Sequence, residues 1–237
     1  MNPIEAFKLL DWDSNFFGFK VATISAPFLN KEEIADVCNT MKKETIHLSY
    51  WKTPNEITEF PDQLNVNLAD IACIYSIVLP LKTVKIDKHI ALYSDDIVSN
   101  ELESIAIQCG VHSRFKTDKR FAKGSYERMY KTWIEKSVNR LLADDIIIYK
   151  KEDKIAGIVT VYVKNNIGFI GLFGIDESMR GIGIGKQLLN AAIAYFIDKK
   201  CDRAQVITQN DNKAACSIYE KCGFSIKQKS YCYHIWM

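Results

Sequence analysis

The chain lacks most of what would assign it to a membrane, a metal or a nucleic acid. No apolar run reaches the roughly 18–20 residues that a spanning helix needs, so no helical membrane span is expected. The 31 lysines and arginines nearly cancel the 29 aspartates and glutamates, and a net charge of +2 gives no electrostatic case for nucleic acid or an anionic lipid surface. The seven cysteines include no CxxC pair and no Cys/His cluster, which argues for reduced thiols in a cytoplasmic protein and against a metal. The opening Met1-Asn2-Pro3-Ile4-Glu5 does not read as a signal peptide. Low-complexity segments and tandem repeats are also missing. What remains, 237 residues of which 48% are hydrophobic, is enough for one large domain or two small ones.

The most informative stretch is Ile167–Leu189. An apolar, glycine-dotted strand runs to about Ile175, an acidic turn follows, and Arg180-Gly181-Ile182-Gly183-Ile184-Gly185-Lys186 opens into an amphipathic helix. A helix start leaves about four N–H groups unpaired and carries roughly half a positive charge. Glycines let an anion approach the backbone, and Arg180 adds a charged donor. The pattern predicts a pyrophosphate site. A Walker loop is excluded because Gln187 follows Gly185-Lys186 where a hydroxyl should bind Mg²⁺. A dinucleotide fingerprint fits poorly, because the string is GxGxG and lies deep in the chain. An acyl-CoA loop and an unliganded glycine turn stay open.

Downstream, Lys186–Lys199 reads as a helix with Leu188, Leu189, Ala192, Ile193 and Phe196 on one face. Arg203–Thr208 reads as a strand, and a second helix begins near Asn212, capped by Asn210 or Asp211 and ended by Gly223. Arg180–Gly185 matches R/Q-x-x-G-x-G/A, and Asn212–Phe224 matches N-x-x-A-x-x-x-Y-x-x-x-G-F. Over about Thr83–Met237 the chain therefore resembles the GNAT N-acetyltransferases. That resemblance implies an α/β (α+β) fold with a mixed central sheet flanked by helices, and acetyl-CoA as acetyl donor, with no metal.

It also implies roles. Backbone amides around Leu172, Phe173, Gly174 and Ile175 would meet the thioester oxygen and the pantetheine arm. Arg180 to Lys186 would hold the pyrophosphate, with Asn212 and Ala215 beside the arm. Tyr219 would protonate the departing thiolate, a phenol having an ordinary pKa near 10. The central strand Ile167–Gly174 has no ionisable side chain, so the base is a water chain, a histidine (His47, His89, His112 or His234), or unnecessary for an amine that arrives neutral.

Upstream the pattern predicts a strand at Ile90–Tyr93 and helices at Asp96–Cys109 and Ser125–Leu142. Arg114, Arg120 and the aromatics between Phe115 and Trp133 suit either a phosphate-and-base site or an ordinary basic loop over an aromatic core. The segments Leu10–Gly18, Ser113-Arg114-Phe115 and Tyr130–Ile134 resemble the dTDP-fucosamine acetyltransferase family. This implies a nucleotide-linked amino-sugar acceptor, for cell-surface polysaccharide biosynthesis, held by Ser113, Arg114, Phe115, Arg120 and Tyr130. The loop Lys116–Gly124 and the apolar Ile218 depart from that pattern. Acetylation of another small-molecule or protein amine, and a non-catalytic acyl-CoA sensor, are the alternatives.

Residues 1–82 are expected to form an N-terminal α/β subdomain, a degenerate half-GNAT unit or a structural extension, with residues 83–237 as the GNAT domain. Its expected elements are a strand at Phe19–Ser25, a helix at Lys31–Glu44, strands at Ile46–Trp51 and Ile71–Leu79, and a helical stretch at Pro54–Phe60. The alternating Ser230–Met237 reads as a final strand whose aromatics fit either a homodimer interface or an ordinary packed sheet.

Overall fold

The computed structural model describes residues 6–79 and 85–237. The chain divides into two compact units, Met1–Ala72 with Lys229–Met237, and Cys73–Gln228. The boundary expected at 82/83 lies outside the described residues, and the observed division falls at 72/73, with the last nine residues returned to the first unit.

The first unit runs β1 (Phe7–Leu9), α1 (Asp11–Phe17), β2 (Val21–Ile24), α2 (Lys31–Lys43), β3 (Leu48–Thr53) and the first part of β4 (Asn65–Val78). It also takes the second part of the final strand, Ser225–Trp236, which becomes β10 in chain order. Asn30 starts α2 through a reciprocal cap: its side chain accepts from the Glu33 amide at 2.8 Å while Glu33 accepts from the Asn30 amide at 2.9 Å. β2 and β3 pair in parallel, and Tyr231–Trp236 pairs antiparallel with Leu48–Thr53. Tyr233 and Ile235 face a core with Trp51, Met41 and Val37, which is why the C-terminal strand belongs here. The helical stretch expected at Pro54–Phe60 does not form. Prolines at 54 and 61 leave too little chain to repay helix nucleation, and the Ile57 amide donates instead to the Tyr233 hydroxyl at 2.6 Å.

The second unit runs from the end of β4 through β5 (Ile90–Leu92), α3 (Asn100–Cys109), α4 (Arg114–Thr117), α5 (Ser125–Val138), β6 (Asp145–Lys151), β7 (Lys154–Lys164) and β8 (Ile167–Ile175). Then come α6 (Ile184–Asp198), β9 (Arg203–Gln209), α7 (Lys213–Lys221) and the start of β10. Its sheet order is β4-β9-β8-β7-β6-β5, with β8 and β9 parallel and β5 to β8 successively antiparallel, a mixed sheet as expected. α3 starts later than expected, at Asn100, because the Ser99 hydroxyl accepts from the Leu102 amide. α5 stops at Val138 because Arg140 turns left-handed, at φ 57°. The face of α6 buries Leu188, Leu189, Ala192 and Phe196 against the sheet, and Gly168 lets Phe196 lie on the β8 backbone. α3 packs Leu102, Ile105 and Ala106 against Ile146, Ile148 and Ile158.

Candidate active site

The site begins where two parallel strands part. The β8–β9 register runs only from Ile167↔Arg203 to Ile170↔Val206, although β8 continues to Ile175 and β9 to Gln209. On its other edge β8 keeps β7, with an irregularity at Val159–Val161. There the Thr160 hydroxyl accepts the Leu172 amide at 2.7 Å. A Cβ on Gly171 would lie 2.6 Å from that hydroxyl, so only glycine admits it. The Asp176 amide also points to β7, donating to Ala156 O at 3.0 Å. Backbone direction alternates along a strand. The Phe173 and Ile175 peptide groups therefore point into the gap between β8 and β9, and Ile175 O accepts from Arg180 Nε at 3.1 Å.

The loop after β8 makes a short turn at Glu177–Met179 and then uses two left-handed glycines, Gly181 at φ 84° and Gly183 at φ 90°. These conformations are strained for any residue with a Cβ. Gly183 caps α6, whose first amides, those of Ile184 and Gly185, precede every intrahelical acceptor. Gly185 has a different reason for being glycine: a Cβ there would sit 2.5 Å from Ile218 Cδ1, so it lets α6 and α7 approach. Arg180 is fixed from outside the motif. One of its Nη atoms donates to Gln108 Oε1 at 3.1 Å, and the same oxygen accepts the Glu177 amide at 2.9 Å. The Ser178 hydroxyl and amide, with Gln108 and Arg180, hold the Asp176 carboxyl below the usual carboxylate range.

A cavity of about 510 Å³ fills the gap. Its walls are the end of α3 (Gln108, Cys109) with Val111 and His112, Phe173–Ile175 of β8, the loop from Met179 to Lys186, and α7 from Asn212 to Cys222. Of the expected acetyl-CoA residues, Phe173, Gly174, Ile175, Arg180, Gly181, Gly183, Ile184, Gly185, Lys186, Asn212 and Ala215 line it. Leu172 does not: its side chain packs on the α3 core and its amide is engaged by Thr160. Ile182 lies 61% exposed between the two left-handed glycines, outside the cavity walls. Arg180, Lys186 and Lys221 set positive charge around the α6 start, which favours an anion there.

α7 is capped by Asn212 itself, whose side chain accepts from Ala215 N at 3.2 Å and whose carbonyl accepts from Cys216 N at 3.0 Å. The cap expected at Asn210 or Asp211 is thus displaced to the residue whose carbonyl begins the helix. Tyr219 is 3% exposed and lies behind the cavity wall, its ring 5.8 Å from Phe173, 5.7 Å from Tyr75 and 5.9 Å from Phe224. Burial first, then the neighbouring Cys109 and Cys216, raise its phenol pKa above the ordinary value.

Sequence reasoning missed Gln108 and Cys109. Burial pushes the Cys109 thiol up to about 12, against the opposing pull of the Phe173 amide, which donates to its sulfur, and of Arg180. His112, one of the histidines considered as a base, lines the cavity, whereas His89 bonds Asp87 at 2.7 Å and stacks on Tyr149.

None of the expected acceptor residues Ser113, Arg114, Phe115, Arg120 and Tyr130 is among the cavity walls. Ser113 caps α4, accepting from the Phe115 amide. Arg114 lies over the Phe115 ring. Arg120 grips the buried Asp118 through Nε at 2.9 Å and an Nη at 3.3 Å. Tyr130 packs on Trp133 and covers Gly110, where a Cβ would meet its ring at 2.5 Å. Among the described residues no group of three or more His, Cys, Asp or Glu is placed to hold a metal ion, and no helix is long and apolar enough to cross a membrane.

Comparison with known proteins agrees with this geometry. A stretch of 68 residues, 29% of this chain, is 32% identical to N-alpha-acetyltransferase 30 of Saccharomyces cerevisiae, covering 39% of that protein. A stretch of 60 residues, 25% of this chain, is 37% identical to mycothiol acetyltransferase of Salinispora tropica, covering 20% of it. The chain thus spans well under half of the curated relatives it matches. The crystal structure of a GCN5-related N-acetyltransferase from Sphaerobacter thermophilus superposes with a TM-score of 0.55 at 12% identity, covering 96% of this chain and 75% of that one, a likeness of fold. Residues 110–224, just under half of the chain, match the model of the acetyltransferase (GNAT) family, and the parted strands and the glycine loop lie within that stretch.

Proposed function

We propose that the protein is an acetyl-CoA-dependent N-acetyltransferase. The parting of β8 from β9 beside the Gly181–Gly185 helix start carries this reading. The gap presents outward-facing peptide groups of Phe173 and Ile175 to an extended, amide-bearing arm, as a neighbouring strand would. The helix start and its cations suit a pyrophosphate at the other end.

In the reaction the acceptor nitrogen attacks the thioester carbon, and the carbonyl becomes an oxyanion that takes over the Phe173 N–H from the Cys109 sulfur. The carbon–sulfur bond then breaks. Tyr219 gives its proton to the departing thiolate, while the amine loses its own to water or His112. Burial keeps Tyr219 protonated at neutral pH, and the same apolar surroundings make the thiolate more basic than in water, so the proton has a reason to move.

The finer reading of the acceptor is the amine of a nucleotide-linked amino sugar. Its support is the resemblance in the first half alone: Arg114 lies over the Phe115 ring, Arg120 is paired with Asp118, and neither is among the cavity walls. The names of the two relatives carry different acceptors, so similarity over these short stretches does not choose one. The half-GNAT reading of the first unit draws on its parallel β2–α2–β3 crossover.

The test follows CoA release from acetyl-CoA with a thiol reagent over a panel of dTDP-amino sugars, spermidine and a short peptide. Turnover on one amine class assigns the acceptor. Tight CoA binding with no turnover on any amine shifts the assignment to an acyl-CoA sensor.

A further inference from the structure

Gln108, near the end of α3, reaches the glycine loop with both ends of its amide. Its Oε1 accepts the Glu177 amide at 2.9 Å and an Arg180 Nη at 3.1 Å. Two donors at one atom fix which end is oxygen, so the NH2 end faces the other way. There Nε2 donates to Asp176 Oδ2 at 3.4 Å and to Ser104 Oγ at 3.3 Å. The amide thus stands between a guanidinium and a carboxylate, presenting oxygen to the one and hydrogen to the other. Asp176 is ionised, held so chiefly by the Ser178 hydroxyl, and Arg180 is near enough for its charge to contribute. Yet among the described residues no ion pair joins Arg180 to Asp176. Arg180 Nε is taken by Ile175 O, and its second Nη makes no hydrogen bond among the described residues, on a side chain that lines the cavity.

We propose that Gln108 is a positioning residue whose amide keeps Arg180 and Asp176 from pairing and so holds the arginine for the diphosphate of the acetyl donor. This rests on the acetyl-CoA reading of the site. An arginine beside a carboxylate pairs with it when nothing intervenes, and a paired guanidinium has donors and field already committed. A neutral amide satisfies both charges without cancelling either. It also orders a long side chain before the ligand arrives, so less rotamer freedom is lost on binding. Gln108 acts through Arg180 and takes no part in the chemistry. Lys186 and Lys221 line the same cavity, so loss of the arginine weakens binding without abolishing it.

Calorimetry with CoA tests this without any acceptor. Arg180→Ala should weaken CoA by about tenfold or more, the usual contribution of a hydrogen bond to a charged group. Gln108→Met keeps the volume and loses both polar ends, and it should weaken CoA about fivefold as a surface ion pair replaces the bridge. The decisive variant adds Asp176→Asn to Gln108→Met: with the carboxylate gone Arg180 is released, and affinity should return to within about twofold of the unaltered protein. Gln108→Met added to Arg180→Ala should weaken CoA no further. A residue that only braced the loop would give losses that add instead. Gln108→Glu, which supplies a carboxylate itself, should weaken CoA and stay weak when Asp176→Asn is added. Unchanged CoA affinity in Gln108→Met or Gln108→Glu overturns the proposal. So does a folded Gln108→Met protein that Asp176→Asn does not restore, or an equal gain from Asp176→Asn with Gln108 in place. Failure of the unaltered protein to bind CoA at all overturns the acetyl-CoA reading instead.

Discussion

Between Phe173 and Lys186 the backbone turns its polar groups outward, whereas between Ser113 and Tyr130 the polar side chains are answered from within. On the first side the Ile175 amide points into an open gap, and a helix begins behind two left-handed glycines. On the second, Arg120 holds Asp118, Lys116 donates to the Tyr126 hydroxyl at 2.9 Å, and Ser113 caps a helix. Both stretches look like binding sites in the sequence because both combine cations with unusual neighbours. The difference teaches that a cation marks a ligand only when the fold leaves its donors facing outward. Even Arg180 divides its guanidinium, using two nitrogens to fix the loop.

The sharpest way to break this contrast is Tyr219→Phe. It should lower kcat by ~10²–10⁴-fold with acetyl-CoA affinity unchanged, as loss of a general acid does. A rate near that of the unaltered protein would reduce Tyr219 to packing among Tyr75, Phe173 and Phe224. Next is Arg120→Ala, which removes the guanidinium from the buried Asp118 carboxylate and leaves it the Arg120 backbone amide. We expect a loss of about 2–3 kcal/mol in denaturant unfolding and little change in acetyl-CoA binding. A higher acceptor KM with stability intact would return Arg120 to the acceptor site. Gly183→Ala should weaken acetyl-CoA by about tenfold, in line with the ~1–2 kcal/mol cost of left-handed backbone for a residue with a Cβ. Calorimetry that finds no change would mean the loop tolerates another shape. The smallest effect is expected for Asn212→Ala, about 1 kcal/mol from the lost cap, read as a melting shift of a few degrees.

The glycine loop and the α7 signature were legible because each is local: φ-demanding glycines, a helix start and a tyrosine two turns after its cap lie within short windows. The mixed fold followed from them. Gln108 and Cys109 were not legible, since nothing near Cys109 in sequence announces that α3 ends against Gly174. Thr160 is a similar case, because its claim on the Leu172 amide depends on a register irregularity between two strands. The Arg120–Asp118 pair, two residues apart, was within reach of the sequence, but its burial was not. The return of the last strand to the first unit was hidden as well. An alternating apolar strand states which face is buried and not which sheet receives it.

The parted strands also give the protein a clock. Amides locked between paired strands exchange with solvent only when the structure opens, while that of Ile175 faces a gap that water can enter. In deuterated solvent the end of β8 should label within the early time points, and the interior of β7, enclosed by β6 and β8, should label late. A cosubstrate arm laid along the gap would slow the exchange at β8 and leave β7 as it was. Occupancy of the site then becomes readable from the timing of two amides, with no acceptor, no turnover and no label on the ligand.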